Sequence, residues 1–299
     1  MFGILSPTSQ QVMKTHVTIC PEDDAPPSKV LRTDESPSRR ISSLLSEATT
    51  SETLPLIDFY VVFMKNKQKM SAFLKQIPTT VGAEHLKRVD KSGRVLLQRV
   101  GILSIELLQA LEEFGMTEND LQIAKVPSTR PVTRQQFDWA KQYWPTCFHR
   151  DKVLEGLLDS SVFTKKDKFE IYSWCKRALH VGSVVVQNGK ELACSQITSQ
   201  LLGHPVMTMV QELAKCPRQL GDYLATDCDV YLRDEPCAMC AMALVHCRSA
   251  RVFFCKSSVN GVYSQGKWQL HLEPAINHHY RVFQVELVSD ERKSSFCGR

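Results

Sequence analysis

The chain has 299 residues, 43% of them hydrophobic and 23% charged, with a formal net charge of +5. It is long enough for two modest domains with real cores, and its mild positive charge is compatible with a polyanionic partner without requiring one. No stretch nears the ~20 uninterrupted apolar residues of a membrane span, and the start Met1-Phe2-Gly3-Ile4 lacks the basic-then-apolar pattern of a secretory leader. Eleven cysteines without an export signal point to a reducing compartment and free thiols. A soluble intracellular protein is expected.

In chain order, residues 1–54 form a segment expected to be disordered. Pro21, Pro26, Pro27 and Pro37 stand there among Ser, Asp, Glu and Arg, a composition that buries too little surface to offset ordering entropy. The run His16–Ile19 is the one candidate strand in it. From Leu56 the pattern changes, and residues 55–127 read as a small α+β domain. Ile57–Met64 is a β-branched and aromatic strand, and Met70, Phe73, Leu74 and Ile77 have helical spacing up to Pro78. His85–Val89 and Arg94–Val100 flank the turn Asp90-Lys91-Ser92-Gly93, Ser104 opens a helix that Gly115 closes, and Leu121–Val126 is a last strand. The order β-α-β-β-α-β predicts a ferredoxin-like domain.

Residues 128–150, marked by Pro131 and Pro145, read as a linker, and residues 151–289 as a second domain with a tail at 290–299. There Lys165–Leu179 is an amphipathic helix. Val181–Val186 and Leu192–Ser195 are strands joined through Asn188-Gly189, a hairpin signal. A helix follows His204, then strand Asp229–Leu232, a helix from Cys237 to about Cys247, and strand Arg251–Cys255. This series predicts an α/β fold, a three-layer α/β/α sandwich.

The residues that carry chemistry are His204-Pro205-Val206 and Pro236-Cys237-Ala238-Met239-Cys240. A Pro-Cys-x-x-Cys at a helix start places two thiols on adjacent turns, where unpaired N–H groups and the helix dipole favour ionised sulfur. His204 stands in the same relation to the preceding helix. Together His204, Cys237 and Cys240 make a donor set for one Zn2+, with a fourth tetrahedral position left over. Zinc deaminases share this layout as H-x-E…P-C-x-x-C, with Glu as the proton carrier. Here the position of that Glu holds Val206, which neither accepts nor donates a proton. Glu212 points away around its helix, and Glu235, at the end of a strand, is better suited to capping a helix or anchoring a loop. The zinc is therefore expected to be structural, and Cys297 is a candidate for its fourth ligand.

At these residues the chain resembles the non-catalytic subunit of the eukaryotic heterodimeric tRNA adenosine deaminase, in the cytidine deaminase superfamily. The segments that carry the resemblance are His204–Met207, Glu235–His246, Arg251–Phe254, Asn260-Gly261 and Ile276–His279. The resemblance implies a cytidine-deaminase-like second domain with zinc on His204, Cys237 and Cys240 and the proton-shuttle place taken by Val206. It also implies pairing with a catalytic deaminase subunit, a role in converting wobble adenosine to inosine in tRNA, an N-terminal domain that helps grip the tRNA, and residence in nucleus and cytoplasm. Lys65, Lys67, Lys69, Lys87, Arg88, Lys91 and Arg94 are the candidate RNA contacts. No aromatic motif of the RRM type is present, which argues against base readout in that domain. Two other readings fit the same residues: an active zinc deaminase with a non-standard proton shuttle, and a zinc-stabilised interaction module without RNA.

Overall fold

The computed structural model describes residues 39–78, 82–195, 199–217, 221 and 223–287. The predicted strand at His16–Ile19, the tail at 290–299 and Cys297 lie outside them. The first half of the chain contains β1 (Arg39–Ser43), α1 (Glu47–Thr50), β2 (Leu56–Phe63), α2 (Lys67–Gln76), β3 (Arg94–Arg99), α3 (Ile105–Glu113), β4 (Gln122–Pro127) and α4 (Arg134–Ala140). The second half contains α5 (Lys152–Leu158), α6 (Lys165–Val181), β5 (Ser183–Gln187), β6 (Lys190–Ser195), α7 (Pro205–Leu213), β7 (Asp229–Asp234), α8 (Ala238–Cys247), β8 (Arg251–Lys256) and β9 (Arg281–Leu287). None of these helices is long and apolar enough to cross a membrane. Two compact units result, one made of residues 51–150 and the other of residues 39–50 with 151–287.

The small unit has a three-stranded antiparallel sheet in the order β3-β2-β4. Asn66 caps α2 by accepting from the N–H groups of Gln68 (2.9 Å) and Lys69 (3.2 Å), and Ser104 caps α3 through Leu107 N–H. Gly115, at φ +71°, ends α3 in the left-handed conformation. Phe73, Ile77, Leu107 and Leu111 pack on one sheet face, while Ala83, Leu86 and Trp144 cover the other. The order is that of a ferredoxin-like sheet with its fourth strand missing. The predicted strand His85–Val89 makes only single bridges, Val89 to Val95 and Leu86 to Thr146. Its backbone is divided between two partners: Leu96 N–H donates to Arg88 O, whereas Lys87 N–H donates to Pro145 O and Cys147 N–H to His85 O.

That division also corrects the predicted linker. Residues 128–150 are an integral part of the small unit: they contain α4, the fully buried Gln136, which donates to Ser51 O (2.9 Å), and the fully buried Trp144, whose indole N–H donates to Lys87 O (2.7 Å). Prolines mark the ends of this segment but do not prevent it from packing.

The larger unit has a six-stranded sheet ordered β1-β9-β8-β7-β5-β6, with β7, β8 and β9 mutually parallel. Strand alternation sends Val230, Leu232, Val252 and Phe254 toward α7 and α8, and Tyr231, Phe253 and Phe283 toward α5 and α6. This is the predicted three-layer arrangement. Tyr231, Phe253 and Phe283 share one register across β7, β8 and β9 and stack at 4.9 Å between neighbouring centroids. The hairpin turn at Asn188-Gly189 has both residues at positive φ, as its sequence predicts.

Two strands of this sheet escape the sequence prediction. One is β9, beyond the last predicted strand. The other is β1, which falls inside the segment expected to be disordered. Ile41, 2% exposed, pairs with Val285 and enters the core, and Ser43 Oγ donates to Leu157 O and Ser160 Oγ to Ile41 O. One buried isoleucine and a row of backbone hydrogen bonds hold a strand whose average composition is that of a solvated chain.

Candidate metal centre

Helices α7 and α8 begin close together. His204 is the N-cap residue of α7, with Pro205 in the first helical position, and Cys237 is the N-cap residue of α8. Neither side chain caps its own helix, so both remain available as donors. Cys240, one turn into α8, is 3% exposed. His204 Nδ1 lies 3.5 Å from Cys237 Sγ and 3.4 Å from Cys240 Sγ, and the three donor atoms are all within 4.8 Å of one another. Bond lengths of about 2.3 Å to sulfur and about 2.0 Å to nitrogen put tetrahedral zinc ligands about 3.5 Å apart, so the spacing fits one zinc ion. Burial, then the neighbouring Cys237, pushes the Cys240 thiol up to about 12. A cation is what such a buried pair requires to carry thiolate charge.

Val206, at the second helical position of α7, is 4% exposed and belongs to the same apolar cluster as Cys240, Ala241 and Leu244. Its surroundings are hydrocarbon. The two carboxylates considered as substitutes are both committed elsewhere. Glu212 is exposed and paired with Lys215 at 2.8 Å.

Glu235 is buried and anchors the loop after β8. Its Oε1 accepts from Tyr263 N–H (2.8 Å) and Ser264 N–H (2.7 Å), and its Oε2 from Ser258 N–H (3.3 Å) and the Lys267 ammonium (2.9 Å). Burial opposes the charge, yet the N–H of Ser264, the Lys267 ammonium and the N–H groups of Tyr263 and Ser258 hold the carboxyl below its usual range. Gly261 is there because no side chain fits: a Cβ would lie 2.2 Å from Glu235 Cδ. Of the two roles the sequence leaves open for Glu235, capping a helix or anchoring a loop, the structure shows the second, and Lys267 as its partner lies 32 positions away and carries no local signal.

His278 and His279 have Nε2 at 2.7 Å from Ser249 O and 3.0 Å from Glu273 O respectively, and among the described residues the only metal-capable cluster is His204, Cys237 and Cys240. In the small unit, Lys65, Lys67, Lys69, Lys87 and Lys91 are exposed and have no ion-pair partner among the described residues. Arg88 and Arg94 are engaged internally. Arg88 donates to the carbonyls of Leu74, Ile77 and Pro78 at the end of α2. Arg94 pairs with Asp90 (2.6 Å) and lies 5.5 Å over the Trp144 ring.

Residues 160–256 match the family described as the cytidine and deoxycytidylate deaminase zinc-binding region. The chain is also similar to proteins named "Probable inactive tRNA-specific adenosine deaminase-like protein 3". The one from Danio rerio is 29% identical over 56% of this chain, which spans 62% of that relative's length. The one from Homo sapiens is 29% identical over 81% of this chain and 88% of its own. A Schizosaccharomyces pombe protein named "tRNA-specific adenosine deaminase subunit tad3" is 23% identical over 73% of this chain and 80% of its own.

Proposed function

We infer that this chain is the non-catalytic subunit of a tRNA-specific adenosine deaminase, pairing with a catalytic subunit that converts wobble adenosine to inosine in the anticodon. One observation carries the reading: an intact His204, Cys237, Cys240 donor set stands beside a buried Val206 where a deaminase needs a carboxylate. Zinc held by these three residues would supply a Lewis-acid centre and a cross-link between the starts of two helices. Val206 cannot take up or deliver a proton, and Glu212 and Glu235 are occupied by Lys215 and by the 258–267 loop. Loss of general acid–base help alone lowers a rate by on the order of 10²–10⁴. What remains is a scaffold: the metal corner holds α7 and α8, and the exposed lysines of the small unit provide electrostatic attraction for tRNA. The matched relatives support this reading by their names, one as a subunit and the others as inactive.

The test is inosine formation in a tRNA substrate by the purified chain, by its complex with the catalytic subunit, and by a complex carrying Val206→Glu. No conversion by the chain alone and conversion by both complexes is the expected result. Turnover by the chain alone at a rate comparable to the complex would overturn the assignment.

A further inference from the structure

The second face of the small unit's sheet is covered by Ala83, Leu86 and Trp144, and this cover stops one residue pair short of the strand ends. Val61, opposite Leu96, is fully buried, but Phe63, opposite Arg94, is 46% exposed. Directly opposed residues share a sheet face, so Phe63 and Arg94 stand together there. The ring rests on the turn between residues 90 and 94: Met64 N–H donates to Gly93 O (3.0 Å), and a Cβ on Gly93 would come within 3.5 Å of the Phe63 ring. That turn is rigidly built, with the Asp90 carboxylate accepting from Ser92 N–H, Arg94 N–H and the Arg94 guanidinium.

On the β3 side of this ring the charge is one-sided, whereas the turn before β4, which continues the register across β2, carries Glu118 and Asp120, the latter accepting from Thr117. Residues 63–70 and 87–95 carry Lys65, Lys67, Lys69, Lys87, Arg88, Lys91 and Arg94 against the single acid Asp90, which Arg94 already neutralises. Lys65 and Lys67 follow Phe63 in the chain, and Lys91 rises from the turn on which the ring rests. An isolated exposed aromatic is ordinary. An exposed ring on a fixed support, with unpaired lysines in the two segments that flank it on one side, has the makeup of a surface for unpaired nucleotides, where the ring stacks on a base and the ammonium groups meet adjacent phosphates.

We propose that Phe63 is a stacking platform for an unpaired nucleotide of the RNA, with Lys65, Lys67 and Lys91 holding the flanking phosphates. The inference rests on the reading of the chain as a tRNA-binding subunit and deepens it. Stacking tolerates any base, because every base has a π face. It therefore agrees with the absence of an RRM-type motif and requires no hydrogen-bonded base readout. An acidic protein segment would satisfy the lysines but would gain little from the ring.

The test uses the full chain in its complex and measures tRNA affinity across a salt series. Phe63→Ala should weaken binding about tenfold with the salt slope unchanged, Phe63→Leu should behave the same way, and Phe63→Tyr should restore affinity. Lys65→Glu and Lys91→Glu should weaken binding and flatten the salt slope. Heparin, a polyanion without bases, should bind the parent and Phe63→Ala alike. An equal loss for heparin would mean that the ring only holds the lysines in place, and this would overturn the proposal, as would a Phe63→Ala complex that binds tRNA like the parent. If the parent complex bound no tRNA at all, the underlying reading of the chain would fail instead, which is a distinguishable outcome.

Discussion

The two units place their charged residues in opposite ways. In the larger unit the decisive polar groups are inside: Glu235 is buried against four donors, and Cys240 is 3% exposed beside Cys237 and His204. In the small unit the lysines stand outside on a core that does not need them, while the two arginines of the same set, Arg88 and Arg94, are turned to structural duty. Burial sets the consequence. A charge inside a fold is tied to stability, because leaving its partner unpaired is costly, whereas a solvated charge is felt only when a polyanion arrives. Substitutions in the larger unit should therefore be read in melting curves, and those in the small unit in binding and its salt dependence.

The largest effect is expected at the metal corner. Cys237→Ser or Cys240→Ser should abolish stoichiometric zinc and lower stability by up to the order of 10 kcal/mol, the scale of a structural zinc site. Zinc content measured together with thermal unfolding checks it, and a variant folded like the parent without metal would break the contrast between the units.

A smaller loss, about 3 kcal/mol, is expected for Glu235→Gln, which leaves the Lys267 ammonium and the loop N–H groups short of their charged acceptor. The sign of the pH dependence follows from the direction of the shift. Because the folded carboxyl titrates below its unfolded value of about 4.3, its contribution is present above that pH and is lost as pH falls through the folded value. Urea unfolding of parent and variant should accordingly differ at pH 7 and converge in strong acid.

The smallest stability change is expected for Lys69→Glu and Lys87→Glu, within about 0.5 kcal/mol as for ordinary surface substitutions. In the complex, the slope of log affinity against log salt should fall by about 0.9 for each phosphate contact removed. Unaltered slopes would detach these lysines from RNA, and a large loss of stability would erase the distinction between the two units.

The metal corner was legible in the sequence because its geometry is local. Proline in front of Cys237 and after His204 marks two helix starts, and each start delivers its donor at a fixed place. The hairpin at Asn188-Gly189 and the helix start at Ser104 were legible for the same reason. Legibility failed where pairing is long-range. The strand at Arg39–Ser43 is made by a partner some 240 positions away, and the leg at His85–Val89 is drawn off its sheet by Pro145 and Cys147. Arg88 and Lys91 have the same charge and nearly the same neighbours in sequence, yet one caps a helix and the other faces solvent.

By itself the sequence determined the donor types, their spacing along two helix starts, and the replacement of an acid by Val206, since these depend only on residue identity and helical geometry. Tertiary structure alone decided how closely the three donors approach one another, that Lys267 and the N–H groups of the loop after β8 are the partners of Glu235, and that Phe63 is left uncovered. The physical reason is that chemistry is written residue by residue, whereas partnership and exposure depend on which distant segments pack together.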